Sequence, residues 1–344
     1  MRAAVLHGRE DVRVEDLPIP VPGPGEILLR NEAALTCGTD VKVYRRGYHA
    51  RMLQPPTVFG HEVAGVVEAV GAGVAVERGT RVAVANSAPC GDCAFCRSGR
   101  QNLCDDLLFW NGAYAQFSLI PARIVAQNVV PLANGLSFRQ AAMVEPLACV
   151  VRGVADSRIG PGQRVAVIGT GAIGLMFLLL ARLRGADVVS VGRNPRRLAK
   201  AVELGARAVL DAGDGDELGL RLRDLSPGGR GFDVVVEAAG QVDTTEAAFE
   251  AVGKGGLVNL FAGSARGTHV TLDVSRAHYE ELTVTASFHH TPATIREAHR
   301  LLAERLVDPE PLITEEASLE DLPKVLAGLA RGGDGLKTAI RPWP

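Results

Sequence analysis

Neither sign of charge is in excess in this sequence, and that absence excludes whole classes of partner. Of 344 residues, 37 are Lys or Arg and 39 are Asp or Glu, so the formal net charge is −2. Without a basic excess, the chain has no electrostatic basis for holding nucleic acid or an anionic membrane surface. We therefore expect no nucleic-acid partner and a small, neutral or modestly charged substrate.

Long apolar segments and a leader pattern are also missing. The longest largely apolar stretch, residues 172–183, is well short of the roughly 20 residues that a membrane-spanning helix needs. The first residues, MRAAVLHGREDVRVED, lack the charged and then apolar pattern of a signal peptide. The sequence therefore predicts a cytoplasmic chain that does not contact a membrane.

Cysteines are few, but four of the six are clustered at regular spacing. In a chain without an export signal thiols stay reduced, so the cluster favours metal binding over disulfides. Four thiolates can close a tetrahedron around Zn²⁺ and so stabilise a lobe at about residues 88–106. Four unrelated thiols or an iron–sulfur cluster are the alternatives. The predicted ligands are Cys90, Cys93, Cys96 and Cys104.

The first 84 residues predict a partly open β-barrel, because short alternating runs are separated by Pro and Gly. Cys37 and the pair His61-Glu62 lie within it, and strand character is expected again over residues 112–132. A thiolate, an imidazole and a carboxylate are ligand types that a catalytic zinc uses when one position stays open. Each of them alone is more typical of a structural residue.

Glu145 lies in the middle of an apolar, helical segment and directly precedes a proline. A buried carboxylate is costly without a partner, so we expect a cation beside it. The alternative is a carboxylate at a helix end that faces solvent.

Residues 164–197 predict a strand, a glycine-rich turn, a helix and a second strand. The first glycine permits a tight turn, the second lets the backbone approach a pyrophosphate, and the third lets the helix pack on the strand. The motif follows a strand and opens a helix, as dinucleotide binding requires. The predicted cofactor-binding residues of the turn are Gly169, Gly171, Ala172, Ile173 and Gly174.

The second strand of this unit ends at Gly192, where an acidic residue would hold the ribose of NAD. Arg193, Arg196 and Arg197 follow instead, and arginines suit a 2′-phosphate. Gly192, Arg193 and Arg197 are therefore predicted to bind NADP(H) in preference to NAD(H), which stays open. The alternative is that these arginines form an exposed helix start.

Strands alternate with helices over residues 153–288, which predicts a doubly wound parallel sheet of the Rossmann type. The remaining helices and the last strand are too few for a third domain, so we expect them to pack on the N-terminal domain. The predicted domains are residues 153–288 for the dinucleotide and residues 1–152 with 289–344 for catalysis.

These motifs, in this order, resemble the zinc-dependent medium-chain dehydrogenase/reductase family, and within it the polyol (sorbitol-type) and threonine dehydrogenase branch. The resemblance implies an α/β fold in which the barrel is a GroES-like catalytic domain. It also implies two zinc ions per chain, one catalytic and one structural. Relatives are commonly dimers or tetramers, so the resemblance implies a homo-oligomer as well.

The resemblance also implies roles for single residues. Cys37 in CGTD and His61 in GHE match the first catalytic-zinc ligands, with Glu62 next to the metal. Glu145 in VEPLA matches the position where this branch has glutamate and the alcohol dehydrogenases have cysteine. Thr39 matches the hydroxyl that passes the proton of the substrate outward.

The function that follows is reversible oxidation of a secondary alcohol to a ketone, with hydride passing to the nicotinamide. A carboxylate in place of a second thiolate makes the metal harder, which favours polyols, sugars or cyclitols. L-Threonine or a simple secondary alcohol is the alternative substrate. A non-enzymatic NADPH-binding sensor or interaction protein is a further alternative, although such a protein would be expected to lose Cys37, His61 or Glu145.

Overall fold

The structure is a computed structural model that describes residues 1–213 and 217–344. The chain forms two compact units, residues 1–148 with 290–344 and residues 149–289. The sequence predicts the first junction after residue 152, four residues beyond the observed boundary. It predicts the second after residue 288, one residue before the observed boundary.

The elements are numbered in chain order. The strands are β1 (Arg2–Gly8), β2 (Asp11–Asp16), β3 (Ile27–Leu35), β4 (Thr57–Val58), β5 (Glu62–Val70), β6 (Arg81–Val84), β7 (Ser87–Ala88), β8 (Leu108–Phe109), β9 (Phe117–Ile120), β10 (Val129–Pro131), β11 (Arg164–Ile168), β12 (Asp187–Gly192), β13 (Ala208–Asp211), β14 (Phe232–Glu237), β15 (Val252–Leu260), β16 (Thr283–Ala286), β17 (Ile313–Ser318) and β18 (Lys337–Arg341). The helices are α1 (Gly38–Arg46), α2 (Ala94–Arg97), α3 (Ala122–Asn128), α4 (Phe138–Ala142), α5 (Val144–Asp156), α6 (Ala172–Leu183), α7 (Pro195–Glu203), α8 (Leu218–Asp224), α9 (Val242–Ala251), α10 (Val274–Tyr279), α11 (Pro292–Ala303) and α12 (Leu322–Ala330).

The first unit is built on a seven-stranded sheet in the order β10-β6-β5-β3-β18-β17, with β9 also paired to β3. Strand β18 runs antiparallel to β3, so a strand from the end of the chain completes the sheet begun near its start. Alternating apolar residues of β3 and β5 supply the core, in which Leu29 and Val67 are fully buried. This is the predicted GroES-like barrel domain.

The segment 112–132 is not strand throughout, which corrects one expectation. Strand β9 ends at Ile120, and α3 occupies residues 122–128 before β10 begins. Pro121 stands at the N-cap of α3, where its missing N–H is not needed, and its carbonyl accepts the amide of Ile124. A short helix therefore lies between two strands, although the apolar residues of this stretch suggest strand in the sequence.

The second unit holds a six-stranded parallel sheet in the order β13-β12-β11-β14-β15-β16. The order reverses between β11 and β14, which is the switch point where such sheets bind dinucleotides. Strands β11, β12 and β14 are rich in buried valine, as expected for strands covered on both faces. The predicted Rossmann-type parallel sheet is confirmed.

Across residues 1–213 and 217–344, no helix combines the length and the apolar character needed to cross a membrane.

Candidate active site and metal centres

Helix α1 fixes the first predicted zinc ligand, Cys37. The thiol of Cys37 caps the helix and accepts the amide of Thr39 at 3.4 Å. In return, the carboxylate of Asp40 accepts the amide of Cys37 at 3.0 Å, which completes a capping box. The helix start therefore holds the thiol and the carboxylate of Asp40 side by side.

His61 directly precedes β5, and Glu62 is the first residue of that strand. The ligand atoms of Cys37, His61 and Glu62 all lie within 4.8 Å of one another. His61 Nδ1 lies 3.0 Å from Asp40 Oδ1, so the other ring nitrogen is left for the thiol side. Although burial by itself lowers the pKa of His61, the charges of Asp40 and Cys37 raise it well above its usual value.

Glu62 is fully buried and forms an ion pair with Lys337 of β18. Lys337 Nζ lies 2.6 Å from Glu62 Oε1 and also donates to the carbonyl of Thr36 at 3.1 Å. Burial raises the pKa of Glu62, and the ammonium of Lys337 opposes that rise. The carboxylate next to the predicted metal is thus already balanced by a buried cation.

Glu145 lies in the first turn of α5 and is 6% exposed. It is not part of the set of three donors, but its charge interacts with His61, Glu62 and Lys337. Burial raises the pKa of Glu145 to about 7, and the charge of His61 opposes the rise. The charges of His61 and Lys337 thus favour the ionised form of Glu145, whereas those of Glu62 and Asp40 oppose it.

A buried histidine also faces Glu145. His290 Nε2 lies 3.7 Å from Glu145 Oε1 and 3.1 Å from Asn86 Oδ1. Both His290 and Asn86 are at most 2% exposed. The sequence shows only an adjacent pair of histidines, so it gives no signal that one of them reaches Glu145.

The four-cysteine lobe is compact and local. The sulfur atoms of Cys90, Cys93, Cys96 and Cys104 all lie within 4.8 Å of one another. Backbone amides point at them, with Cys90 N donating to Cys104 Sγ at 3.2 Å and Cys93 N to Cys90 Sγ at 3.4 Å. Hydrogen bonds from the backbone of Asp105 and of Cys96 lower the pKa of Cys93 to about 7. Amide donors of this kind stabilise thiolates.

Both donor sets fit zinc. Bonds of 2.0–2.3 Å in a tetrahedron place neighbouring donor atoms about 3.3–3.8 Å apart. Cys90 Sγ and Cys96 Sγ are 3.9 Å apart, close to that spacing. The lobe offers four sulfurs, typical of a closed structural site, whereas Cys37, His61 and a carboxylate are typical of an open catalytic one.

The glycine-rich turn follows β11 in the second unit. Gly169 has φ +119°, and a Cβ on Gly174 would lie 1.7 Å from the carbonyl oxygen of Gly169. Gly171 caps α6, and Ala172 and Ile173 are its first two residues. The N-cap Gly171 makes no side-chain hydrogen bond to the first amides of α6, and phosphate binding there stays a prediction.

Gly192 ends β12 against Thr170 of the glycine-rich turn. A Cβ at position 192 would lie 2.1 Å from Thr170 Oγ1, so an acidic side chain does not fit there without a rearrangement. Arg193 is exposed and forms an ion pair with Asp243 at 2.7 Å. The amide of Arg197 donates to Asn194 Oδ1, the N-cap of α7. The sequence did not reveal the partner of Arg193.

Two family models match the chain. Residues 23–132 match the alcohol dehydrogenase GroES-like domain, and residues 172–304 match the zinc-binding dehydrogenase domain. These are the two halves that the resemblance implied.

Relatives match over nearly the whole length. Sorbitol dehydrogenase of Bacillus subtilis strain 168 is 30% identical over 93% of this chain and 91% of that protein. L-Threonine 3-dehydrogenase of Bacillus velezensis is 31% identical over 94% and 93%. A Sinorhizobium meliloti 1021 protein described as a zinc-binding dehydrogenase, solved with bound NADP, is 31% identical, with a TM-score of 0.91 and 99% of each chain covered.

With these matches over both units and the zinc-type donor sets in place, the chain belongs to the zinc-dependent medium-chain dehydrogenase family, in its polyol-dehydrogenase-like branch.

Proposed function

We propose that this dehydrogenase oxidises one secondary alcohol of a polyol, sugar or cyclitol to a ketone, reversibly, and prefers NADP(H). The observation that carries the proposal is the convergence of Cys37, His61 and Glu62 within 4.8 Å, with Glu145 in electrostatic contact. The sorbitol dehydrogenase relative supports the polyol class.

We assign the catalytic metal to Cys37, His61 and one carboxylate. Glu145 is the better candidate, because Glu62 is already held by Lys337. When bound, zinc supplies a Lewis acid that lowers the pKa of an alcohol. A site with two carboxylates and one thiolate nearby suits a substrate with several hydroxyl oxygens.

The residues around the metal have separate tasks in this proposal. Asp40 holds the ring of His61 in one orientation through the 3.0 Å contact at Nδ1. Lys337 opposes the rise in the pKa of Glu62 and holds its carboxylate toward β18. Thr39, half-buried in the first turn of α1, receives the proton of the substrate and passes it outward.

The cofactor assignment rests on the second unit. The turn from Gly169 to Gly174 binds the pyrophosphate, and the nicotinamide supplies the hydride acceptor. Gly192 leaves no room for an acid that would bind the ribose of NAD, and Arg193 and Arg197 follow it. NADP in the structure of the 31% identical relative supports the same preference.

Three further features belong to the proposal. The four-cysteine lobe holds a second, structural zinc, which gives two per chain. No disulfide joins cysteines in the part of the chain that the structure describes, and we place the protein in the reducing cytoplasm. Strand β16 is an edge of the parallel sheet, and nearby Val274 and Tyr279 are 73% and 81% exposed, which supports a homo-oligomer.

The test is a screen of polyols, sugars and amino-alcohols with NADP⁺ and NAD⁺, run on the natural chain and on Cys37→Ser. We expect the highest kcat/KM with a polyol or sugar and NADP⁺. Cys37→Ser should lower turnover by at least a thousandfold, and elemental analysis should show one zinc instead of two. Nucleotide affinity, measured by fluorescence titration, should stay within twofold.

Full activity of Cys37→Ser would overturn the metal assignment. Preferred turnover of L-threonine would replace the polyol proposal with the alternative to which the threonine dehydrogenase relative points. Binding of nucleotide without turnover of any of these compounds would instead favour the non-enzymatic alternative.

A further inference from the structure

A buried tyrosine lies behind the predicted metal ligand His61. Tyr114 Oη lies 2.6 Å from Asp40 Oδ2, and Asp40 Oδ1 lies 3.0 Å from His61 Nδ1. Tyr114, Asp40 and His61 are 0%, 2% and 4% exposed, so water does not compete for these contacts. The three side chains form one hydrogen-bonded row from phenol to imidazole.

The available protons decide which group donates and which accepts in each hydrogen bond of this row. Burial, and next the charge of Asp40, raise the pKa of Tyr114 well above its usual value, so the phenol keeps its single proton. A carboxylate is a stronger acceptor than the carbonyl of Leu35, which lies 3.0 Å from the same oxygen. Asp40 Oδ2 therefore accepts from Tyr114 and from the amide of Cys37, which leaves Oδ1 for His61.

The backbone fixes the position of this phenol relative to His61. The amide of Tyr114 donates to the carbonyl of Phe59 at 3.0 Å, two residues before His61. The rings of Phe59 and Tyr114 pack edge to face with centroids 5.1 Å apart. A Cβ on Gly60, whose φ is +91°, would lie 2.5 Å from the ring of Tyr114. The same side chain is thus tied to the segment of His61 by its backbone and ring, and to Asp40 by its hydroxyl.

We propose that Tyr114 is a positioning residue that orients the metal ligand His61 through Asp40. The inference rests on the proposed function, in which His61 binds the catalytic zinc. The ring alone accounts for the packing, because phenylalanine would fill nearly the same volume. The hydroxyl adds a donor that holds one carboxylate oxygen, so that the other keeps the proton of His61 on Nδ1 and leaves Nε2 as a ligand.

The test uses Tyr114→Phe in the full chain, with Tyr44→Phe as the matched control. Tyr44 is also buried, at 8% exposed, and lies on α1 one helical turn beyond Asp40. Catalytic-site zinc affinity is measured by competition with a chromophoric chelator. We expect about a tenfold loss in Tyr114→Phe, the lower end of the effect of removing a partner of a metal ligand. The control should stay within twofold.

Two further measurements separate positioning from a general loss of structure. The visible spectrum of the protein with Co²⁺ at the catalytic site should change in Tyr114→Phe, while zinc in the four-cysteine lobe is retained. In an Asp40→Asn background, Tyr114→Phe should cause no further loss of affinity, because its effect passes through Asp40. An unchanged affinity and Co²⁺ spectrum in Tyr114→Phe, or additive losses in the double variant, would overturn the proposal.

The variant His61→Ala distinguishes a wrong metal assignment from a wrong role for Tyr114. If this variant retains both zinc ions, the proposed metal site itself is wrong. If it loses one zinc while Tyr114→Phe behaves like the natural chain, only the role of Tyr114 is wrong.

Discussion

The two donor sets in the first unit are built in opposite ways. The four-cysteine set comes from one stretch of fifteen residues, and backbone amides of the same stretch point at its sulfurs. The mixed set takes Cys37 from one segment and His61 with Glu62 from another, and buried charged side chains, Glu145 among them, surround it. A local site is thus supported by its own backbone, whereas a site assembled from distant segments depends on side chains that balance its charges.

The difference follows from burial. Much of the lobe is exposed, although Cys96 and Cys104 are buried, and backbone amides donate to its sulfurs. Glu62 and Glu145 are almost completely buried, where an ionised carboxylate without a partner is costly. The ammonium of Lys337 pairs with Glu62, and the ring of His290 lies 3.7 Å from Glu145.

The largest expected effect on stability comes from removing one ligand of the four-cysteine site in Cys96→Ser. One zinc per chain should be lost, together with about 3 kcal/mol of stability, or roughly 6–12 °C in the unfolding midpoint of a unit of this size. Elemental analysis and thermal unfolding measure both quantities. The zinc of the mixed site, read from its Co²⁺ spectrum, should remain. Loss of both ions together would show that the two sites are not independent.

A somewhat smaller effect is expected when the mixed site loses its counter-charge in Lys337→Met. This variant leaves Glu62 buried without a cation, and breaking a buried pair typically costs about 3–5 kcal/mol, less if Glu62 takes up a proton. Denaturant unfolding should show a loss of about 2–3 kcal/mol. The double variant Glu62→Gln/Lys337→Met is the control and should recover most of that loss. An equally unstable double variant would mean that packing, rather than charge, explains the effect.

The smallest effect should follow from neutralising a carboxylate beside the lobe in Asp92→Asn. The side chain of Asp92 is exposed, and its hydrogen bond is the largest cause that raises the pKa of Cys90 to about 12. Removing the charge of Asp92 eases deprotonation of the Cys90 thiol, but it also removes an electrostatic attraction for the zinc ion. Solvent screens both effects, because the carboxylate is exposed. Lobe zinc affinity, measured by chelator competition, should stay within threefold. A change of tenfold or more would place this exposed carboxylate on a par with the buried ones.

The sequence predicts the local features of this chain better than it predicts contacts between distant segments. The cysteine spacing and the glycine-rich turn are local, so their residues could be named directly from the sequence. The ion pair of Glu62 and Lys337 joins residues 275 positions apart, and nothing in the spacing marks the lysine. Asp40 was visible in CGTD, but its contact with His61 depends on how β5 enters the sheet. The helix after Pro121 was missed because its apolar residues fit a strand equally well.

The position of Lys337 on β18 has a consequence for how this protein is made. Strand β18 emerges from the ribosome only after the whole nucleotide-binding unit, residues 149–289, has been synthesised. Until then the nascent barrel contains Glu62 without its ammonium partner and lacks β17 and β18, of which β18 pairs with β3. The second unit can therefore reach its native form during translation before the first unit, which needs β18.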